Sequence, residues 1–290
     1  MLKRIKQYFG RLKRGLIGYF INTLEKTPPI PKNIATFDIG ESVKKQKIKC
    51  YQIGHGTTKV LYVFCIHGNE TGTVKLAHYF LNWSYSQEKK FNDYSIYIVP
   101  CLNPDGFELA LKKPDYFNGG KIGRFNNNNV DLNRNFATPS FKTKAQWSFG
   151  KNYEEHKEVF CGNFGNSEPE TKALIKLIKS KEIKVLFMFH NTGKDVMANQ
   201  NVLAKKIAKI YSQKTNFKNL NHETWLNLRQ TGTLKEWCDL NNVAYIEIEG
   251  STRWGSDWKK QKEALQSTIF INKITSQDQL VEETMIEEAA

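Results

Sequence analysis

The sequence predicts an α/β fold in which a mixed, twisted sheet is flanked by helices on both faces. Short apolar runs suited to buried strands alternate with segments of helical periodicity, which is typical of a sheet sandwiched between helix layers. The chain has 290 residues and 40% hydrophobic content, enough for a substantial core in one large domain or two. It contains no apolar run of about 20 residues, the length that spans a bilayer.

The middle of the chain supplies the predicted elements in order. Strands are predicted at residues 47–53, 59–66, 94–100, 184–189 and 243–248. Helices are predicted at residues 73–83, 201–213 and 257–270. A further helix is expected to begin at the capping box Ser167-Glu168-Pro169-Glu170 and to end at Lys179. Residues 104–165 have little periodicity, so we expect a functional loop region there.

The amino-terminal segment, residues 1–27, is predicted to form a basic amphipathic helix. Its first 24 residues contain no acid, and apolar residues recur at helical spacing, namely Leu2, Ile5, Phe9, Leu12, Leu16 and Phe20. The breaker sequence at residues 28–31, Pro-Pro-Ile-Pro, follows it. Two interpretations stay open. The helix lies on an anionic membrane surface, or it packs on the domain with its charges in solvent.

The net charge and the cysteine content indicate which binding partners and which cellular compartment to expect. The formal charge of +14 suits nucleic acid, an anionic membrane surface or acidic substrates. The lysines are scattered instead of forming one stripe, so we expect no specific nucleic-acid binding. Residues 275–290 form an acidic tail. The five cysteines have no paired spacing, which favours reduced thiols and a cytoplasmic location, with membrane association through residues 1–24 as a further expectation.

The stretch "CIHGNETG" at residues 65–72 places His67 and Glu70 where a predicted strand ends. A hydrolytic zinc site uses three protein ligands and one open position, and two histidines with one glutamate are a standard set. His190, in "FMFHNTG", ends another predicted strand. Because ligands at strand ends meet at the carboxyl edge of a sheet, these three residues are candidates for binding one metal ion.

Further motifs follow in order: "NPDG" at residues 103–106, "DLNRNF" at 131–136 and "SEPET" at 167–171. With HGNE, the later FH and a strand that ends in glutamate, they make the sequence resemble the zinc carboxypeptidase family of metallopeptidases over roughly residues 45–270. The resemblance implies a catalytic domain at residues 33–274 that holds one zinc ion on His67, Glu70 and His190. It also implies that Asp131 orients His67.

The resemblance implies roles for other residues too. Arg124 would stabilise the oxyanion that forms when the scissile carbonyl becomes tetrahedral. Asn133 and Arg134 would bind the terminal carboxylate of the substrate, to which a planar guanidinium is matched. Either acid in "YIEIEG" could be the general base. Alignment from the preceding Trp-Cys pair favours Glu249, and Glu247, two residues away on the same strand face, would then contact a cationic group of the substrate.

The chain departs from the digestive members of that family in one stretch. Their mobile tyrosine has no counterpart in "WLNLRQTG", where Leu228 lies nearest its position. Leu234 occupies the pocket position that is acidic in carboxypeptidases specific for basic residues, so Glu247 is the candidate for supplying that charge.

The motifs look most like those of bacterial murein peptide amidases, which cut between γ-D-glutamate and diaminopimelate in cell-wall peptides. "HGNETG" and "FHNTG" also resemble N-acyl amino acid deacylases of the aspartoacylase or succinylglutamate desuccinylase type. The expected substrate is therefore a peptide or, alternatively, an acylated amino acid. A zinc-free binding protein and a charge-driven nucleic-acid binder are disfavoured, because the ligand set is intact and no nucleic-acid-binding module is present.

Overall fold

The computed structural model describes residues 2–117, 120–147, 157–220 and 230–270. Eight strands form its central sheet: β1 (Ala35–Glu41), β2 (Lys47–Ile53), β3 (Thr58–Phe64), β4 (Tyr94–Val99), β7 (Val185–Asn191), β8 (Asp195–Ala198), β9 (Lys218–Leu220) and β10 (Ala244–Gly250). Their spatial order is β1-β2-β4-β3-β7-β10-β8-β9. Two more strands, β5 (Lys144–Trp147) and β6 (Lys157–Phe160), pair antiparallel with each other.

Seven α-helices lie in the described part of the chain: α1 (Leu2–Leu24), α2 (Thr71–Ser86), α3 (Pro104–Lys112), α4 (Pro169–Ser180), α5 (Val202–Thr215), α6 (Leu234–Leu240) and α7 (Trp258–Thr268). One core layer includes Phe80 of α2, Tyr211 of α5 and Leu265 of α7. The other includes Leu174 of α4 and Trp237 of α6. Helices therefore cover both faces of a mixed sheet, and the predicted fold class is confirmed.

The parallel strands β4, β3, β7 and β10 lie side by side at the centre of the sheet. Their carboxyl ends consequently share one edge. His67 follows the end of β3, and His190 lies in β7. Glu249 of β10 is the direct neighbour of His190 across the β7–β10 pair. This register brings residues far apart in sequence to the same place.

The five predicted strands are all present, and none of their ends moves by more than two residues. The sequence patterns did not reveal β1, β8, β9 or the β5–β6 pair. β1 and β9 lie at the two edges of the sheet, where partial exposure removes the continuous apolar run. Residues 104–165 were expected to be irregular, but they begin with α3.

The predicted capping box before α4 is wrong in its detail. The residue that caps α4 is Glu168, and no side chain makes a capping hydrogen bond there. The carboxylate of Glu170 instead accepts hydrogen bonds from the backbone N–H of Val43 at 3.2 Å and from Asn126 Nδ2 at 3.1 Å. Hydrogen bonds to residues distant in sequence thus replace the local capping bond that the motif would make. They connect α4 to the loop before the DLNRNF segment.

The amino-terminal helix α1 packs on the domain through its glycines. A Cβ atom at Gly15 would lie 2.3 Å from the ring of Phe117, and one at Gly18 would lie 2.6 Å from the ring of Trp254. Lys75 of α2 donates from Nζ to a backbone carbonyl just beyond α1 at 3.0 Å. None of the described helices has the length and hydropathy needed to cross a bilayer. The acidic tail, residues 275–290, lies outside the described residues.

Candidate metal centre and active-site cleft

His67, Glu70 and His190 are buried together at the carboxyl edge of the sheet. One potential ligand atom from each lies within 4.8 Å of the others. Both histidines turn Nδ1 towards the same carboxylate, with His67 Nδ1 3.1 Å from Glu70 Oε1 and His190 Nδ1 3.0 Å from Glu70 Oε2. The structure thus brings the three predicted ligands together. Two imidazole nitrogens and a carboxylate are a donor set that fits zinc and leaves a position open.

Asp131 contacts both His67 and Arg124 and so links these two residues. Its Oδ1 is 3.2 Å from His67 Nε2, and its Oδ2 accepts from Arg124 Nε at 3.1 Å and from Nη2 at 2.9 Å. Burial raises the pKa of Asp131, but Arg124 and His67 outweigh burial and hold that pKa well below its usual range. An ionised Asp131 that accepts from Nε2–H leaves the Nδ1 lone pair of His67 available for a metal ion.

The charges inside the ligand cluster are complementary. Burial lowers the pKa of His190, but Glu70 and Glu247 outweigh burial and raise that pKa to about 9. Burial also raises the pKa of Glu70, but His67 and His190 together bring it below its usual value. Without metal, His190 is therefore protonated at neutral pH and pairs with the carboxylate of Glu70.

Glu249 lies on β10 beside this cluster and is partly exposed. Its Oε2 accepts a hydrogen bond from the backbone N–H of Gly193 at 3.2 Å. Burial raises the pKa of Glu249 to about 8; His190 opposes this increase, and Glu70 and Glu247 add to it. The group is therefore able to exchange a proton close to neutral pH.

Glu247, two residues earlier on β10, is more deeply buried. Its Oε2 accepts from the hydroxyl of Tyr245 at 2.5 Å and lies 3.9 Å from His190 Nε2. Glu247 and Glu249 thus approach the same histidine, as expected for residues two apart on one strand. Burial lowers the pKa of Arg134, and the carboxylates of Asp131 and Glu247 oppose that effect.

Asn133 and Arg134 lie in a single 3₁₀ turn, Leu132–Arg134, and both side chains are buried. Asn133 Nδ2 is 3.5 Å from His190 Nε2, and its Oδ1 accepts from the backbone N–H of Leu234 at 3.2 Å. Arg134 donates from Nη1 to the carbonyl of Asn133 at 2.7 Å. Its buried Nε has no hydrogen-bond partner among the described residues, so the guanidinium can donate a further hydrogen bond to an anionic group.

Leu234, at the predicted pocket position, is buried in the core layer under α4 and α6. Leu228 lies outside the described residues.

Asn103 of the NPDG motif holds the loops around the cluster, because its Nδ2 donates to the carbonyls of Ile66 at 3.4 Å and Arg124 at 3.3 Å. Its Oδ1 accepts from the backbone N–H of Gly106 at 3.0 Å and so begins α3.

A cleft of about 530 Å³ opens between α1 and the segments that follow β7 and β10, and its lining includes Thr192 and Ser251, two residues beyond His190 and Glu249. We call it the cationic cleft, because its lining includes Arg11, Arg14, Lys121 and Arg253. Sequence reasoning missed these residues. The sequence does not show which side of the amino-terminal helix faces the domain, so it could not place Arg11 and Arg14 in a cleft. The segment after β10 matches no motif.

Known proteins support one family. The rat carboxypeptidase N catalytic chain is 31% identical over 179 residues, which cover 56% of this chain and 38% of that protein. The chain thus spans less than half the length of such curated relatives. The murein-tripeptide amidase of Escherichia coli O157 has a similar structure, with a TM-score of 0.61, 21% identity and coverage of 84% of this chain and 94% of that one.

Two other solved structures share the fold. Bovine thrombin-activatable fibrinolysis inhibitor has a TM-score of 0.65 at 18% identity, covering 85% of this chain and 92% of that one. An aspartoacylase family protein from Mesorhizobium loti has a TM-score of 0.51 at 15% identity, covering 85% and 68%. Residues 20–280 match the family profile described as zinc carboxypeptidase, peptidase M14. The chain therefore belongs to the zinc carboxypeptidase family, whose metal its buried histidines and glutamate are suited to hold.

Proposed function

We propose that this protein is a zinc-dependent hydrolase that cleaves a peptide or amide bond next to a carboxylate-bearing residue. The observation that carries the proposal is the convergence of His67, Glu70 and His190 beside the buried pair Asn133 and Arg134. Zinc, when bound there, supplies a Lewis acid that polarises a carbonyl and makes water a stronger acid. A buried guanidinium beside that centre is suited to hold the free carboxylate of the substrate.

In this proposal Glu249 is the general base. Water attacks the scissile carbonyl carbon, Glu249 takes the proton that water loses, and it passes that proton to the nitrogen of the leaving amine as the C–N bond breaks. Its place beside His190 supports this role, and in the metal-free site burial raises its pKa to about 8. Arg124, held by Asp131, stabilises the oxyanion. Asn133 and Arg134 position the carboxylate of the leaving amine.

The proposed substrate is the bond between γ-D-glutamate and diaminopimelate in cell-wall peptides. Diaminopimelate offers a carboxylate to Arg134 and a side-chain ammonium to Glu247. Glu247 Oε2 lies 3.9 Å from His190 Nε2, and Nδ2 of Asn133, the neighbour of Arg134, lies 3.5 Å from the same atom, which supports a site that binds both groups at once. The fold shared with a murein-tripeptide amidase is compatible with this substrate.

An N-acyl amino acid deacylase is the second candidate, favoured by the HGNETG and FHNTG segments and by the fold shared with an aspartoacylase family protein. Such a substrate also has a free carboxylate next to the cleaved amide. The leaving amino acid of such a substrate brings no cation, however, so the buried carboxylate of Glu247 would have no partner on the substrate.

The two candidates are separated by one assay. The zinc-loaded protein is incubated with L-Ala-γ-D-Glu-diaminopimelate and, separately, with N-acetylaspartate, and the products are identified by mass spectrometry. We expect release of diaminopimelate from the tripeptide. In the matched control, His67→Ala should lose both zinc and activity. Hydrolysis of N-acetylaspartate alone would establish the deacylase instead, and full activity in a rigorously metal-free preparation would refute the zinc mechanism.

We further propose that α1 binds an anionic membrane surface with the side it turns away from the domain. Phe9, Leu12, Leu16 and Phe20 line that side and are 38–61% exposed. Phe9, Leu16 and Phe20 lie opposite Gly18 on the helical wheel, whereas Leu12 lies at the edge of that side, nearer to Gly15. No acid interrupts residues 1–24, so the helix is complementary to negatively charged lipid headgroups.

Sedimentation with vesicles of phosphatidylglycerol tests this contact. The protein should sediment with them at low salt, and the triple variant Phe9→Ser, Leu16→Ser and Phe20→Ser should not. A matched control replaces three exposed apolar residues elsewhere, Leu109, Leu111 and Phe164, with serine. Equal sedimentation of the α1 variant and the wild-type protein would show that this face does not bind the membrane.

A further inference from the structure

The cationic cleft is lined by positively charged side chains that have no role in the proposed mechanism. The Nη1 atom of Arg253 is buried and has no hydrogen-bond partner in the described part of the chain. Arg11 and Arg14 reach the same cleft from α1, and neither forms an ion pair with any described residue. A buried donor without an acceptor costs free energy, and an anionic ligand would remove that cost.

The position of the cleft relative to the metal ligands indicates which part of a substrate it meets. Thr192 and Ser251 line it, and they lie two residues beyond His190 and Glu249. The backbone carbonyl of Arg253 accepts from the N–H of Gly72, two residues beyond Glu70, at 2.8 Å. Arg134 instead donates to the carbonyl of Asn133, whose Nδ2 lies 3.5 Å from His190 Nε2. The two arginines therefore flank different parts of the centre. Since Arg134 is assigned to the leaving amine, the acyl part of the substrate extends towards Arg253.

We propose that the cationic cleft binds a free carboxylate on the acyl side of the scissile bond, through Arg253 and the α1 residues Arg11 and Arg14. This inference rests on the proposed function and adds a second anionic recognition site to it. A γ-linked glutamate has this group, because its α-carboxylate is left free when its side chain forms the amide. Arg11, Arg14 and the buried Nη1 atom of Arg253 can donate charge-assisted hydrogen bonds to a carboxylate.

Binding of matched tripeptides tests the inference without relying on turnover. Zinc-loaded Glu249→Gln protein is titrated by calorimetry with L-Ala-γ-D-Glu-diaminopimelate and with its isoglutamine counterpart, in which the α-carboxylate is an amide. We expect the carboxylate form to bind about 10- to 100-fold more tightly. Adding Arg11→Gln and Arg14→Gln should bring that ratio towards one, and Arg253→Lys should reduce it.

The control variant, Lys13→Gln with Lys26→Gln, removes the same charge from exposed residues that do not line the cleft, and should keep the ratio. Equal affinity for the two tripeptides, or a ratio that survives Arg11→Gln with Arg14→Gln, would overturn the inference. Cleavage of both tripeptides at equal rates by the wild-type enzyme would also overturn it while leaving the proposed function in place. If neither tripeptide binds or is cleaved, the proposed cell-wall substrate is wrong and the inference fails with it.

Discussion

The two ends of the proposed substrate would contact regions of the protein that are built in different ways. At one end Asn133, Arg134 and Glu247 are buried and hydrogen-bonded to backbone or core side chains. At the other end Arg11 and Arg14 are exposed on a helix that docks through two glycines. A buried, hydrogen-bonded group has one geometry, whereas exposed arginines can adapt. We infer that the buried end controls the chemistry and the choice of leaving amine, and that the exposed end adjusts affinity for the acyl part.

The largest expected effect concerns the base next to the buried end. Glu249→Gln should lower kcat by about 100- to 10,000-fold while zinc content and substrate binding stay intact, because only proton transfer is removed. Steady-state kinetics and metal analysis measure both properties. The Glu247→Gln protein is the comparison. If that protein loses turnover and the Glu249→Gln protein does not, the assignment of the base is wrong by two residues.

The second effect concerns zinc affinity. His190 has a pKa of about 9 in the metal-free site and must be neutral to ligate zinc. Between pH 7 and pH 9 zinc binding should therefore displace a proton, and affinity should rise by about tenfold per pH unit and level off above pH 9. Competition with a chelator measures this slope. Arg11→Gln with Arg14→Gln should leave the slope unchanged, and an affinity that is constant from pH 7 to 9 would contradict the proton displacement.

The smallest of the three effects concerns selectivity at the buried end. The native protein should prefer diaminopimelate or lysine to phenylalanine as the leaving residue, since only the first two bring a cation that can pair with the buried carboxylate of Glu247. Glu247→Thr should reduce that preference by about tenfold or more and keep hydrolysis itself. Relative kcat/KM values for matched peptides measure it. Equal rates on the phenylalanine and lysine peptides with native protein would mean that Glu247 does not set specificity.

The contrast between the two ends also explains which parts of the site could be predicted from the sequence. The metal cluster was predictable because His67 and Glu70 follow the end of one apolar strand and His190 lies near the end of another, both in recognisable motifs, and parallel strands bring such ends together. The same holds for Asn133 and Arg134, whose motif fixes a turn. These features depend on local sequence combined with the topology of one sheet.

The cationic cleft was not predictable in the same way. Its formation depends on the side of α1 that faces the domain, and Gly15 and Gly18 decide this by letting Phe117 and Trp254 approach. Periodicity indicated an apolar stripe, and an apolar stripe normally faces the core, but here the glycine side docks and much of the stripe remains exposed. The capping box before α4 failed for a related reason, since Asn126 and Val43, distant in sequence, bind Glu170.

Asn103 has a consequence for how variants of this enzyme would be interpreted. Its single amide group connects the segment that leads from β3 to His67 with the carbonyl of Arg124, and its oxygen starts α3. In a deep mutational scan, substitutions at Asn103 would resemble those at a catalytic position, because they would disturb His67 and Arg124, the proposed metal ligand and the proposed oxyanion-stabilising residue, together. Double substitutions that combine Asn103 with either partner would then show strong epistasis, although Asn103 has no assigned contact with the substrate.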